Sequence, residues 1–128
     1  IDISPAMLRV AAQRERSPLI HWRLADAERL PAPPSTFDGV TVGATLNETA
    51  RPPLFLRQLE RVLRPEGTLW LMFACAEGRG RLGGLFFPDL AWVEAQLTGC
   101  ALRAAVKVGP VQFAQFRKKG AKRADALG

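Results

Sequence analysis

Hydrophobic and polar positions alternate along this chain with two periods, and the period changes from one segment to the next. Ile1-Asp2-Ile3 is a short apolar fragment ending at Ser4-Pro5, where Ser4 suits a helix N-cap and Pro5 the first helical position. The spacing predicts a helix over 5–14 with Met7, Leu8, Val10 and Ala11 on its inner face. Residues 19–24 alternate, with Ile20, Trp22 and Leu24 opposite His21 and Arg23, which is a strand pattern. After a proline-rich loop over 31–35, the Val/Thr/Gly/Ala-rich run 37–46 predicts a strand buried on both faces. Over 53–64, Phe55, Leu56, Leu59, Val62 and Leu63 share one helical face, and Arg57, Glu60, Arg61 and Arg64 the other. Pro65-Glu66-Gly67 stops that helix.

A core strand over 68–75 is expected next, then a glycine-rich loop to 84 and a helix over 89–97. Leu90, Val93 and Leu97 form that helix's inward stripe, and Gly99 is expected to close it in a left-handed conformation. Leu102, Ala104, Val106 and Val108 alternate up to Gly109-Pro110, and 111–116 is again strand-like, so the two runs read as an antiparallel hairpin. Alternating strands and helices closed by a hairpin predict an α/β fold whose sheet is mostly parallel with an antiparallel C-terminal hairpin strand.

Composition refines this picture. A chain of 128 residues with 48% hydrophobic residues is of single-domain size and has apolar material for a core. The net charge of +6 is uneven: five of the 18 basic residues and one of the 12 acidic ones lie in 117–128, which leaves 1–116 at +2. The expected division is therefore a near-neutral domain over 1–116 and a basic, solvated tail over 117–128. No aromatic residue interleaves with the tail's charges, so nucleic acid is not an expected partner. Cys75 and Cys100 have no CxxC spacing or histidine partner, which predicts buried free thiols, no metal site and a cytoplasmic location. The longest apolar run, 69–76, is far shorter than the ~20 residues of a membrane span.

Gly78-Arg79-Gly80-Arg81-Leu82-Gly83 matches GxGxxG formally, but a phosphate-binding version needs a helix to open within it. Pro88 disfavours helix at Phe87, and no acidic residue stands at the ribose-binding distance, so a surface loop is expected. His21 is the only histidine and reads as a strand-surface residue. No Gly-x-Ser-x-Gly elbow, Cys–His pair or paired-carboxylate pattern supports hydrolysis. More informative are Asp2, at the end of the first fragment, and Asp26-Ala27, just after the second strand. Carboxylates at parallel strand ends share one rim, where one can accept both hydroxyls of a ribose and the other an adenine amino group; each also suits a cap or turn.

Four segments carry a family resemblance: Ile1-Asp2-Ile3-Ser4-Pro5-Ala6-Met7-Leu8, Ala25-Asp26-Ala27-Glu28-Arg29-Leu30-Pro31, Ser35-Thr36-Phe37-Asp38-Gly39-Val40 and Arg61-Val62-Leu63-Arg64-Pro65-Glu66-Gly67-Thr68-Leu69. In order and spacing the chain resembles the class I S-adenosylmethionine-dependent methyltransferases, nearest the branch containing the ubiquinone and menaquinone C-methyltransferases. The resemblance implies a Rossmann-like methyltransferase sheet and S-adenosyl-L-methionine as cofactor. It implies that Asp2 and Ile3 meet the ribose, that Asp26 and Ala27 hold the adenine, and that Gly43 lies with 44–46 at the methionine end. Leu46, Asn47 and Glu48 would then be substrate-proximal, with Glu48 the candidate general base or, alternatively, a loop carboxylate near the next helix.

The chain departs from the family pattern at Arg51, where Asp before Pro is usual, at Glu66, where the turn commonly has glycine, and at Gly43, where a small hydroxyl residue is common. The family's first strand and its glycine-rich loop would precede Asp2 and have no counterpart here, so the chain reads as N-terminally truncated. The expectation is a partial methyltransferase domain with exposed strand edges, marginal stability and weak cofactor binding. The implied activity is methyl transfer to a small-molecule acceptor. The alternative is a non-catalytic relic or partner-binding module that self-associates through the exposed sheet edge. Phe86, Phe87 and Trp92 suit either an apolar lid over the acceptor or the packing of a helix.

Overall fold

The computed structural model describes residues 1–77 and 80–120. Gly78 and Arg79 of the glycine-rich match, and 121–128 of the expected tail, lie outside the described residues. Helix α1 (Pro5–Arg14) begins as its sequence dictates: Ser4 accepts a hydrogen bond from the Met7 N–H and Pro5 occupies the first turn. Strand β1 (Phe37–Val42) leads into the single turn α2 (Thr45–Glu48) and then α3 (Pro52–Val62). Strand β2 (Leu63–Ala74) is followed by the short strands β3 (Gly80–Leu82) and β4 (Leu85–Phe87), helix α4 (Leu90–Gln96) and the hairpin β5 (Cys100–Val108) and β6 (Val111–Lys118). Asp89 caps α4 by accepting from the Trp92 N–H at 2.7 Å.

The main sheet has the order β1-β2-β6-β5, and β3 and β4 form a separate hairpin. β1 pairs with β2 in parallel, whereas β6 is antiparallel to both β2 and β5. The sheet is thus mixed, as the alternation followed by a hairpin implied. Its antiparallel share is larger than expected, because the hairpin docks its second strand on β2 and leaves β5 at the edge.

The core lies on one face of this sheet. Leu69, Leu71 and Phe73 of β2 and Ala114 and Phe116 of β6 meet Phe55, Leu56 and Leu59 of α3 and Val93 of α4. The apolar stripes of both helices therefore serve as predicted. Lys118 fixes the geometry further, donating from Nζ to the carbonyls of Glu60 and Leu63 at 2.8 and 2.7 Å, so a cation satisfies the open C-terminal end of α3. Arg117 pairs with Glu66, and Lys119 Nζ reaches Thr98 O. The first three residues assigned to the tail are therefore ordered contributors to the domain, because their charges meet a carboxylate and helix-end carbonyls.

Several expectations fail upstream of β1, for one physical reason. The strand over 19–24 is reduced to a single parallel bridge, Asp2 to Leu24, closed by Asp2 N to Arg23 O and Ala25 N to Asp2 O at 3.2 and 3.1 Å. No residue of α1 is buried, and Met7 is 59% exposed despite its place on the predicted inner face. β1 ends at Val42 and has no fully buried residue, contrary to a strand covered on both faces. Each pattern needs a neighbouring strand or sheet face, and the described residues supply none on that side of β1. Gly99 has no positive φ, unlike Gly109 at φ 56 in the hairpin turn. A Cβ at Gly99 would fall 1.8 Å from Glu60 Oε1, so close approach accounts for this glycine.

Candidate functional site

The gap between β1 and the Asp2–Leu24 bridge is an open cleft of about 800 Å3, a size suited to a small-molecule ligand. One wall is Ile1, Asp2 and Ile3, the floor is β1 with Val40 and Val42, and the far end is the loop and turn that follow β1. Asp2, Ile3, Asp26, Ala27, Gly43 and Glu48 all line it.

Local chemistry explains each position. Asp2 Oδ1 accepts the Ser4 N–H at 2.8 Å, so one oxygen ties the strand end to the cap of α1. Asp26 does the same in its own turn, its Oδ1 accepting the Glu28 N–H at 2.9 Å. Turn formation and ligand binding do not conflict in either case, since each carboxylate keeps a second oxygen with acceptor capacity. Gly43 leaves room beside the end of β1: a Cβ there would meet only Met72 Cε, at 3.9 Å. Carboxylate acceptors, an apolar floor and an uncrowded glycine together form a partly apolar cradle with acceptor capacity for hydrogen-bond donors.

Of the three residues assigned near the substrate, only Glu48 reaches the cleft. Leu46 is fully buried in the core. Asn47 is 5% exposed, and its amide is committed to backbone: Nδ2 donates to Ala74 O at 2.9 Å and Phe86 O at 2.8 Å, while Oδ1 accepts the Ala74 N–H at 2.9 Å. It engages the end of β2 as another strand would, just beyond the last β1 pairing at Val42, and ties β4 to the same point. Helical turn α2 separates these neighbours, turning Leu46 and Asn47 inward and Glu48 outward.

Residues that the motif reading passed over also line the cleft. His21 and Arg23 sit on the bridge side, and Thr41, Thr45 and Thr49 on the β1 and α2 side. The alternation of 19–24 put His21 and Arg23 on one side; that side faces the cleft. Glu28, within a quoted segment but given no role, is held well by its neighbours. Its carboxylate accepts from Thr49 Oγ1 at 2.6 Å and from the Arg51 N–H at 2.7 Å, and these bonds, Thr49 first, hold its pKa below 4.5.

The β3–β4 hairpin lies against α2, where Arg81 Nη2 donates to Ala50 O at 2.7 Å. Phe86 meets Trp92 edge-on at 4.9 Å between centroids, so this pair packs the hairpin on α4. Burial raises both thiols, Cys100 to about 11. Among the described residues no cluster of His, Cys, Asp and Glu could hold a metal ion, and no helix is long and apolar enough to cross a membrane.

Comparison with known proteins agrees with this geometry. A methyltransferase-domain family model matches residues 1–71. The chain is similar to the demethylmenaquinone methyltransferase of Symbiobacterium thermophilum, 42% identical over 81 residues, or 60% of this chain and 31% of the relative. It is also similar to the ubiquinone/menaquinone biosynthesis C-methyltransferase UbiE of Paraburkholderia xenovorans, 36% identical over 73 residues, covering 56% and 30%. The matched segment thus spans about a third of these relatives. Among solved structures, the cyclase SpnF superposes with a TM-score of 0.82 at 19% identity, covering 93% of this chain and 64% of that one. A putative S-adenosylmethionine-dependent methyltransferase from Listeria monocytogenes gives 0.76 at 12% identity, covering 91% and 78%. On the family match and the shared architecture, this chain belongs to the methyltransferase-domain family and carries its class I, Rossmann-like fold.

Proposed function

We propose that this chain is the cofactor-cleft portion of an S-adenosylmethionine-dependent methyltransferase acting on a small-molecule acceptor. The observation that carries the reading is the convergence of Asp2, Asp26, Ala27, Gly43 and Glu48, from separate segments, on one cleft. Fold likeness alone does not select the chemistry, since one similar structure is a cyclase. The sequence relatives, a demethylmenaquinone methyltransferase and a ubiquinone/menaquinone biosynthesis C-methyltransferase, favour methyl transfer and an acceptor of the quinone class.

The cofactor supplies a methyl group on a positively charged sulfur, already activated for displacement. The residues here bind and orient. Asp2 accepts the ribose hydroxyls, Asp26 and Ala27 flank the adenine, and Gly43 admits the methionine end. Glu48, exposed on α2 at the cleft rim, is the candidate to take a proton from an acceptor that must lose one. Positioning of this kind lowers a displacement barrier by several kcal/mol without a diagnostic nucleophile.

Titration calorimetry with S-adenosylmethionine tests the reading. Asp2→Ala is expected to weaken binding by about 2–4 kcal/mol through loss of charge-assisted hydrogen bonds. Unchanged affinity refutes the ribose assignment, and methyl transfer at the wild-type rate in Glu48→Gln refutes the base. A second reading has its own support in the edge of β1, which among the described residues pairs on one side only. Strand addition at that edge would make the chain a partner-binding or self-associating module. A monomer by light scattering that binds S-adenosylmethionine counts against it.

A further inference from the structure

The loop that carries Asp26 and Ala27 is tied to the segment that follows α2 through one side chain. Glu28 reaches across to accept from Thr49 Oγ1 at 2.6 Å and from the Arg51 N–H at 2.7 Å, and Arg51 Nε lies 3.5 Å from its second oxygen. At its own end, the Glu28 N–H donates to Asp26 Oδ1 at 2.9 Å. The result is a continuous chain of hydrogen bonds from Asp26, through Glu28, to the residues that immediately follow Glu48. Thr49 is 8% exposed and the Glu28 side chain 14%, whereas the Arg51 side chain is 74% exposed, so the Thr49 bond is the sheltered member of the set. The far end of the loop is anchored separately, the Leu30 N–H donating to Gln58 Oε1 and Arg61 Nη2 to Leu30 O.

We propose that Glu28 is a positioning residue that couples the two ends of the cleft, holding the loop of Asp26 and Ala27 at a fixed spacing from the segment of Glu48. This rests on the methyltransferase reading of the cleft and adds to it a residue that acts by holding two segments of the cleft wall together. A ligand spanning both ends depends on that spacing, and one confined to the Asp26 end does not. The bond types account for the strength of the clamp, because an ionised carboxylate accepting from a hydroxyl and a backbone amide makes stronger bonds than neutral pairs.

Two measurements test the clamp independently. Amide hydrogen exchange needs no ligand: Thr49→Val, which leaves the loop chemically unchanged, is expected to speed exchange of the Glu28 and Arg29 N–H groups by about threefold or more. The Leu30 N–H, bonded to Gln58, serves as the control and is expected to keep its rate. Unchanged exchange at Glu28 and Arg29, or acceleration spread over 69–73 as well, overturns the coupling. In calorimetry, Glu28→Ala is expected to weaken S-adenosylhomocysteine by about tenfold and leave adenosine within about twofold, with Glu28→Gln recovering most of the loss because it retains an acceptor oxygen. Equal weakening of both ligands overturns the positioning role. A wild-type chain that binds neither ligand refutes the cofactor reading, and the exchange rates then decide the coupling by themselves.

Discussion

Replacing Asn47 by alanine discriminates between two accounts of this residue. The family resemblance sets Asn47 beside the substrate, which predicts altered binding in a protein of unchanged stability. The geometry predicts the reverse. Its amide makes three hydrogen bonds of 2.8–2.9 Å to the backbone of Ala74 and Phe86, and the side chain is 5% exposed. Alanine withdraws all three partners and leaves Ala74 without the groups that extend its pairing past the end of β1. Each orphaned buried polar group costs about 1–3 kcal/mol, and water entering beside the exposed Glu48 relieves part of this, so the expected total is about 2–4 kcal/mol. Asn47→Asp is expected to cost at least as much, because it keeps the acceptor for the Ala74 N–H but turns the donor into an oxygen facing two carbonyls. Urea denaturation reads this as a lower midpoint with an unchanged slope, which at about 1–3 kcal/mol per molar is a shift on the order of 1–2 M. A loss under about 1 kcal/mol in Asn47→Ala, accompanied by weaker ligand binding, refutes the structural account.

Glu66 adopts φ 72, a left-handed conformation, and pairs with Arg117 across the surface. Glu66→Gly is therefore expected to be more stable than Glu66→Ala by about 1 kcal/mol in urea denaturation, and equal stabilities would sink the backbone argument. Glu28 has a folded-state pKa below 4.5, so its contribution is fully present above its unfolded value and disappears as pH falls through the folded one. The stability difference between wild type and Glu28→Gln is expected to shrink as pH falls from neutral into and below the ordinary glutamate range; a constant difference contradicts the assignment. Cys100, buried and raised to about 11 by desolvation and then by Glu60, is expected to resist iodoacetamide until the chain unfolds. Mass spectrometry showing rapid alkylation in native buffer would overturn its burial.

Local signals were legible wherever their partners lie nearby in the chain. Ser4-Pro5 predicts the start of α1, the stripe of Phe55, Leu56 and Leu59 predicts the buried face of α3, and Gly109-Pro110 predicts the β5–β6 turn; all three are present. Long-range uses of a side chain were not legible. Nothing near Lys118 announces that it closes α3, 55 residues away at Leu63, and nothing near Asn47 announces Ala74. Asp2, Asp26 and Gly43 line one cleft, but the inward or outward aim of Leu46, Asn47 and Glu48 depends on a helical turn that begins inside the strand-like run 37–46.

The failures of the hydrophobic pattern concentrate on one side of β1, and that distribution is itself informative. Phe73, Phe116 and Leu69 are fully buried, whereas Ile1, Ile3, Met7 and Leu24, with equally regular spacing, are each more than half exposed. Periodicity states which face of an element is apolar; it does not state whether a neighbour covers that face. The upstream segments carry the apolar faces of sheet and helix without the ladder that would join them to β1, and the single Asp2–Leu24 bridge is what two strands can form between themselves. The same gap that leaves these residues uncovered also brings Asp2 opposite Val40 and Val42 across an open cleft. Ligand affinity in the cleft and burial upstream of β1 are therefore linked quantities: whatever pairs with the free edge of β1 would cover Ile1 and Ile3 and narrow the cleft at the same time, so a strand-length partner that tightens S-adenosylhomocysteine binding should also protect the amides of 2–3 and 40–42 from exchange.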